Sequence, residues 1–73
     1  MSVDHLVQMA NDIGQFFAAE LRREDAIRGI ANHIERYWDP RMRRQIEKYL
    51  SEGGEGLEEL AREAVARLSA PVT

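Results

Sequence analysis

The side chains best suited to chemistry lie between residues 37 and 44, where aromatic and basic residues surround a proline. This stretch contains the only tryptophan, Trp38, and three of the ten basic residues, Arg41, Arg43 and Arg44. Planar guanidinium groups bind carboxylates through paired hydrogen bonds, and tryptophan and arginine are enriched at the centres of protein interfaces. The stretch therefore indicates binding, and an acidic surface is the ligand that suits it.

Helical spacing extends this basic group by one further cation. Arg41, Arg44 and Lys48 are spaced i, i+3, i+7, so they share one face of a helix. We predict a partner-binding site formed by one aromatic residue and four cations: Trp38, Arg41, Arg43, Arg44 and Lys48. The alternative is a solvated basic face without a partner. The sequence also leaves open whether Trp38 belongs to the core or to the interface.

The sequence shows no recognisable catalytic, cofactor-binding or metal-binding site. It has no cysteine, which removes thiolate nucleophiles and thiolate metal ligands. His5 and His33 lack the spacing of a zinc site, and neither Ser51 nor Ser69 has a neighbouring histidine. The glycine-rich segment 53–56 lacks the lysine and hydroxyl residue of a phosphate-binding loop, so we predict a turn there. We therefore predict that the chain is not an enzyme by itself and carries no cofactor.

Helices are the elements that must position the predicted binding residues. Apolar residues recur at helical spacing in four segments, which predicts helices near 4–19, 24–38, 40–51 and 56–68, followed by a tail at 69–73. No segment alternates with a period of two, so we expect no strand. The predicted fold is all-α: a single domain over residues 1–73, built as a small bundle of three to four short helices.

The junction between the second and third helices is set by two residues. Proline lacks an N–H and suits the first position of a helix, which Pro40 would occupy. Asp39 then becomes the N-cap, accepting a hydrogen bond from the backbone of Arg41 or Met42. We predict that this pair fixes the start of the third helix and thereby the direction of its basic face.

The first helix is predicted to pack closely against a neighbour. Ser2 or Asp4 can cap its start, and Phe16 and Phe17 are both predicted to lie in the core. Gly14 costs about 1 kcal/mol relative to alanine in a helix interior, so we expect a packing reason for it. That reason would be the close approach of another helix.

Length and charge limit the partners. A chain of 73 residues buries only about 60% of the surface that its unfolded form exposes, so we expect a protein partner to add stability, with self-association of the isolated chain as an alternative. The net charge of −3 argues against nucleic acid as a ligand. No apolar run approaches the roughly 20 residues of a membrane span, and the N-terminus lacks the pattern of a secretory signal. We predict a cytoplasmic protein that does not contact a membrane.

Four segments resemble the delta subunit of NAD-dependent, molybdenum-containing formate dehydrogenases. They are Met9–Phe17 (MANDIGQFF), Ile30–Ile34 (IANHI), Trp38–Arg44 (WDPRMRR) and Gly54–Leu57 (GEGL). The part from His33 to Arg44 is specific, whereas the glycine-rich part is weak by itself. The resemblance extends over almost the whole chain, from Leu6 to about Leu68.

The resemblance implies an accessory subunit of a soluble bacterial complex that oxidises formate to carbon dioxide and reduces NAD to NADH. The alpha subunit is expected to hold the molybdopterin cofactor and iron–sulfur clusters, beta to hold FMN and the NAD site, and gamma a further cluster. The delta subunit is expected to carry no cofactor and to assemble or stabilise the complex by docking on alpha. The sequence determines neither the stoichiometry nor whether the parent enzyme uses molybdenum or tungsten.

Two alternative functions stay open at this stage. The chain could be a transient maturation factor that helps to insert the cofactor into the same enzyme and then leaves it. It could instead be a small helical DNA-binding regulator that uses the basic residues of the third helix, although the net acidity opposes this. The masses of the subunits in the purified complex would separate a permanent subunit from a transient factor, and a salt-sensitive mobility shift would indicate DNA binding.

Overall fold

A computed structural model describes residues 2–68, which form four α-helices. They are α1 (Val3–Phe17), α2 (Arg23–Tyr37), α3 (Pro40–Ser51) and α4 (Glu59–Leu68). No strand occurs among these residues, and the all-α prediction is confirmed. Relative to the predicted limits, α1 ends two residues earlier and α4 begins three residues later. The predicted tail at 69–73 lies outside the described residues.

Helix α2 supplies the centre of the core. Its Ile27, Ile30 and Ile34 are spaced i, i+3, i+7 and are completely buried. The other three helices pack their own fully buried side chains into the same cluster: Leu6 from α1, Ile46 from α3 and Val65 from α4. Burial of an aliphatic side chain of this size contributes about 1.5–3 kcal/mol. The apolar stripe of α2 is therefore the element around which the other helices are arranged.

Side chains cap two of the helices as the sequence predicts. The hydroxyl of Ser2 accepts a hydrogen bond from the backbone N–H of His5 at 3.3 Å. A carboxylate oxygen of Asp39 accepts one from the backbone N–H of Met42 at 2.9 Å, with Pro40 at the first helical position. Each cap satisfies an N–H group that has no partner within its helix. The caps thus fix the beginnings of α1 and α3.

The prediction that Phe16 lies in the core is wrong. Phe16 is 77% exposed, whereas the next residue, Phe17, packs against the core. Successive helical residues are about 100° apart, so two adjacent side chains at the end of α1 cannot both face α2. The two rings meet edge to face, with 5.1 Å between their centres. Phe17 is therefore the core residue of the pair, and Phe16 extends into solvent.

The loop between α3 and α4 is held by side chains of the two helices that it connects. The Tyr49 hydroxyl donates to the carbonyl of Glu55 at 2.6 Å. The guanidinium group of Arg62 donates to the carbonyls of Gly53 and Gly54 at 3.1 and 2.8 Å. Gly54 has a φ of +62°, a backbone conformation that residues with a Cβ rarely adopt. The loop is a structured turn, and α4 therefore begins only at Glu59, after the residues that the turn occupies.

Asn11 connects α1 to the beginning of α4, a role that sequence reasoning missed. Its amide nitrogen donates to the carbonyl of Gly56 at 2.9 Å, and its amide oxygen accepts from the N–H of Glu58 at 2.9 Å. That N–H lies just before α4 and has no helical acceptor. Asn11 therefore acts as a cap from a distance of 47 residues in the chain, which no local pattern can reveal.

Two glycines at helix contacts have different steric surroundings. A Cβ added to Gly14 would lie 3.7 Å from the Cβ of Ala61, which is ordinary van der Waals contact. A Cβ added to Gly29 would lie 2.6 Å from the ring of Phe17, which is a severe overlap. The predicted close approach of a helix at Gly14 is present, but it leaves room for alanine. The position that requires glycine is Gly29, because the aromatic ring lies directly on it.

Candidate protein-interaction surface

The junction between α2 and α3 is anchored by a buried aromatic ring. Trp38 follows the last residue of α2 and is only 5% exposed. It continues the buried stripe of α2, since it lies four residues after Ile34. The Asp39 cap then fixes the first turn of α3 directly after the buried ring. The direction of α3 is therefore set by the core on one side and by a cap on the other.

The structure separates the five residues of the predicted binding site into two groups. Arg41, Arg44 and Lys48 are exposed on the outer side of α3. Trp38 lies in the core, and Arg43 is half buried with an Nε atom that has no hydrogen-bond acceptor among residues 2–68. Three cations are thus available on the surface, while the tryptophan supports the surface from below.

Two of the exposed arginines surround a depression at the junction. It has a volume of about 440 Å³ and is lined by Asp39, Pro40, Arg41 and Arg44. We call these four residues the basic corner. Within residues 2–68, the side chains of Arg41, Arg44 and Lys48 make no hydrogen bond or ion pair. Their charges are therefore not neutralised by the described part of the chain.

An exposed aromatic residue lies beside the basic corner in the sequence, and it was not part of the predicted site. Tyr37 is 70% exposed, and its ring contacts that of His33 at a tilt of 43°, with 4.7 Å between the centres. No local pattern excluded Tyr37 from the core, because it lies seven residues after the buried Ile30 and therefore falls near the same stripe of α2. Of the two adjacent aromatic residues, Tyr37 is the one that a partner can reach.

A second exposed patch lies at the turn between α1 and α2. Leu21 is fully exposed and Phe16 is 77% exposed, and the alanines between them are exposed as well. We call this set the apolar corner: Phe16, Ala18, Ala19 and Leu21. Ala18 also lines a depression of about 150 Å³ between α1 and α4, together with Gly14 and Ala61. Sequence reasoning missed this patch because it assigned Phe16 to the core.

Ion pairs join α2 to α4 along a line that we call the α2–α4 seam: Arg23, Glu24, Glu59 and Arg67. The carboxylate of Glu24 accepts two hydrogen bonds from the guanidinium group of Arg67, one of them 2.8 Å long. Arg23 pairs with Glu59 at 3.4 Å. The hydrogen bonds from Arg67 lower the pKa of Glu24 below its ordinary value, and the same contact raises the pKa of Arg67. The charges of the seam are therefore neutralised internally.

Within residues 2–68, no group of three or more acidic, histidine or cysteine side chains could hold a metal ion. None of the four described helices combines the length and the apolar character that crossing a bilayer requires. The candidate functional features that residues 2–68 present are the two exposed corners.

Comparison with known proteins assigns the chain to a family. A family model described as NADH-dependent formate dehydrogenase delta subunit, FdsD, matches residues 5–65 of the 73. No curated protein and no solved structure matches the chain. The matched region contains all of α2 and α3 and both corners, and it confirms the resemblance that the sequence segments carry. This chain therefore belongs to the family of delta subunits of NAD-dependent formate dehydrogenase.

Proposed function

We propose that this chain is a non-catalytic accessory subunit that stabilises a formate dehydrogenase complex by docking on its alpha subunit through the basic corner. In this proposal the cofactors of the reaction reside in the larger subunits: the molybdopterin cofactor, iron–sulfur clusters, FMN and the site for NAD. The delta subunit would contribute binding energy and no reacting group. The complex would be cytoplasmic.

The observation that carries the proposal is the presence of unpaired cations at a rigid position. Arg41 and Arg44 border the 440 Å³ depression and have no acidic partner among residues 2–68. Arg23 and Arg67, by contrast, are paired with carboxylates of the same chain. A carboxylate on a partner could accept paired hydrogen bonds from either guanidinium group. The buried Trp38 and the Asp39 cap keep the corner in place before binding, which lowers the entropy cost of docking.

The test is reconstitution of the complex with variants of this chain. We expect Arg41→Glu and Arg44→Glu each to reduce copurification with the larger subunits and to lower the thermal stability of formate oxidation. Both side chains are exposed, so circular dichroism of the isolated variants should match that of the wild type. Wild-type affinity should decrease with added salt, because a docking contact between exposed charges is screened.

A matched control separates local from overall charge effects. Each single reversal lowers the net charge by two, and the double variant His5→Glu, Gln8→Glu does the same on the exposed side of α1. This control should copurify like the wild type. If both arginine reversals and the control assemble equally well, the basic corner is a solvated face and the proposed docking site is wrong.

The stoichiometry of the purified complex decides between the two roles within this enzyme. A permanent subunit should be recovered in a constant ratio to alpha, and its removal should shorten the lifetime of activity. A maturation factor should be missing from the finished enzyme, and its deletion should reduce the cofactor content of newly made enzyme instead. Mass measurement of the intact complex and metal analysis distinguish these outcomes.

A further inference from the structure

Among residues 2–68, the two large side chains of the apolar corner have no place in the core that would explain their composition. Leu21 is fully exposed and Phe16 is 77% exposed, so neither side chain contributes appreciably to the core. Only two phenylalanines occur in the chain, and one of them is used here. Exposed apolar patches of this kind on small proteins mark sites of interaction.

The apolar corner and the basic corner lie at opposite ends of α2. Leu21 lies two residues before α2 begins, and Asp39 lies two residues after it ends. Fifteen helical residues span roughly 21 Å at the standard rise of about 1.5 Å per residue. The distance between the two corners is set by the length of α2, whose apolar stripe is completely buried in the core. One helix thus separates an apolar contact point from a cationic one.

The size of the apolar corner argues against a second copy of this chain as its occupant. Two large apolar side chains and two alanines expose on the order of 300–500 Å². A stable interface needs about 800 Å² from each partner. The apolar corner is too small to hold a dimer by itself, but it is sufficient as an anchor within a larger interface. The partner that the family provides is a larger subunit of the same enzyme.

We infer that the apolar corner is a second docking point, which inserts the side chains of Phe16 and Leu21 into an apolar pocket on the same subunit that binds the basic corner. This inference rests on the proposed function. The chain then acts as a strut that contacts its partner at two points about 20 Å apart. Once one point is bound, the other binds at a high effective concentration, so two modest contacts produce a stable attachment.

The test is a titration of the complex purified without this subunit, using labelled full-length chain. Phe16→Ser and Leu21→Ser should each weaken binding by about tenfold or more, as expected for anchors in an apolar pocket. Leu21 makes no core contact, so Leu21→Ser should fold like the wild type even if Phe16→Ser disturbs the neighbouring Phe17. Gln8→Ser, an exposed change elsewhere on α1, is the control and should bind like the wild type.

Salt separates the two contacts. Between about 0.1 M and 0.5 M sodium chloride, the affinities of Phe16→Ser and Leu21→Ser should decrease by the same factor as that of the wild type, because their ionic contact is intact. The affinity of an Arg41→Gln, Arg44→Gln double variant should depend much less on salt than that of the wild type, because the ionic contact at the basic corner is removed without adding repulsion. This contrast supports two docking points of different chemistry.

The outcomes distinguish failure of this inference from failure of the proposed function. If Phe16→Ser and Leu21→Ser bind like the wild type while the arginine variants are weakened, the second docking point is refuted and the proposed function stands. If the wild-type chain does not bind the complex, both are refuted. If sedimentation shows a dimer of the free chain that Leu21→Ser dissociates, the apolar corner is a contact between copies, and the inference is overturned.

Discussion

The α2–α4 seam and the basic corner both contain two arginines, yet the arginines serve opposite purposes in the two regions. In the seam, Arg67 pairs with Glu24 and Arg23 pairs with Glu59, so the charges hold two helices of the same chain together. At the basic corner, Arg41 and Arg44 have no partner among residues 2–68. The difference shows that arginine content alone does not identify a binding surface. The informative property is the grouping of two arginines, both unpaired within residues 2–68, around one depression.

The largest effect is expected when Trp38, the buried ring beneath the basic corner, is removed. Trp38→Ala should lower the free energy of unfolding by about 3–5 kcal/mol, since the buried ring leaves a cavity at the junction of α2 and α3. Urea unfolding followed by circular dichroism measures this, because the variant has no tryptophan fluorescence. The adjacent Tyr37→Ala is the control and should change stability by less than about 0.5 kcal/mol. Equal effects of the two substitutions would contradict the burial of Trp38.

A pair of glycine substitutions tests how tightly α2 is held from the side of α1. Gly29→Ala should cost about 1–3 kcal/mol, because the new Cβ would overlap the Phe17 ring and force it to move. Gly14→Ala should instead raise stability by about 0.4–1 kcal/mol, because its Cβ fits and alanine restricts the unfolded chain. Thermal unfolding of both variants gives the sign of each effect. Destabilisation by Gly14→Ala would mean that α1 and α4 approach more closely than described.

Removal of the α3 cap tests how far the Asp39 hydrogen bond holds the basic corner in place, because the substitution leaves Arg41 and Arg44 unchanged. Asp39→Ala should cost about 1 kcal/mol, since the Met42 N–H loses its acceptor. Asp39→Asn keeps a capping oxygen and should restore most of that stability. The unfolding midpoints of the two variants provide the measurement. If alanine and asparagine are equally harmful, the charge of Asp39 matters more than its hydrogen bond.

The smallest expected effect concerns how the contribution of the α2–α4 seam to stability depends on pH. The pKa of Glu24 is lowered in the folded chain, chiefly by the hydrogen bonds from Arg67. This contribution to stability is therefore present above the ordinary value of 4.5 and is lost as the pH decreases through the lowered pKa. Glu24→Gln should be less stable than the wild type at pH 7, and the difference should shrink below pH 4.5.

Arg44→Gln is the matched control for that experiment. Arg44 has no partner among the described residues, so its neutralisation should leave the pH dependence of unfolding unchanged. Acid titrations of the three proteins, followed by circular dichroism, make the comparison. A pH dependence that changes equally in both variants would show that the seam has no special role in stability.

Local patterns predicted the elements of this fold well. The spacing of Ile27, Ile30 and Ile34 predicted the buried face of α2, and Asp39 and Pro40 predicted the start of α3. These features depend on residues within one or two turns of each other, where helical geometry fixes the relations. The residues from His33 to Arg44 also carried the specific part of the family resemblance, which the match over residues 5–65 confirms.

The sequence by itself therefore determined the helical segments, the caps of α1 and α3, the central stripe and the family. Only the tertiary structure decided which member of each adjacent aromatic pair is buried: Phe17 over Phe16, and Trp38 over Tyr37. It also decided the long-range partners, such as Asn11 at the beginning of α4 and Arg67 at Glu24. The reason is that periodicity fixes the angle between neighbouring side chains, whereas burial and pairing depend on which distant segment covers them. The exposure of the apolar corner and the lack of partners for Arg41 and Arg44 among residues 2–68 could therefore be seen only in the tertiary structure.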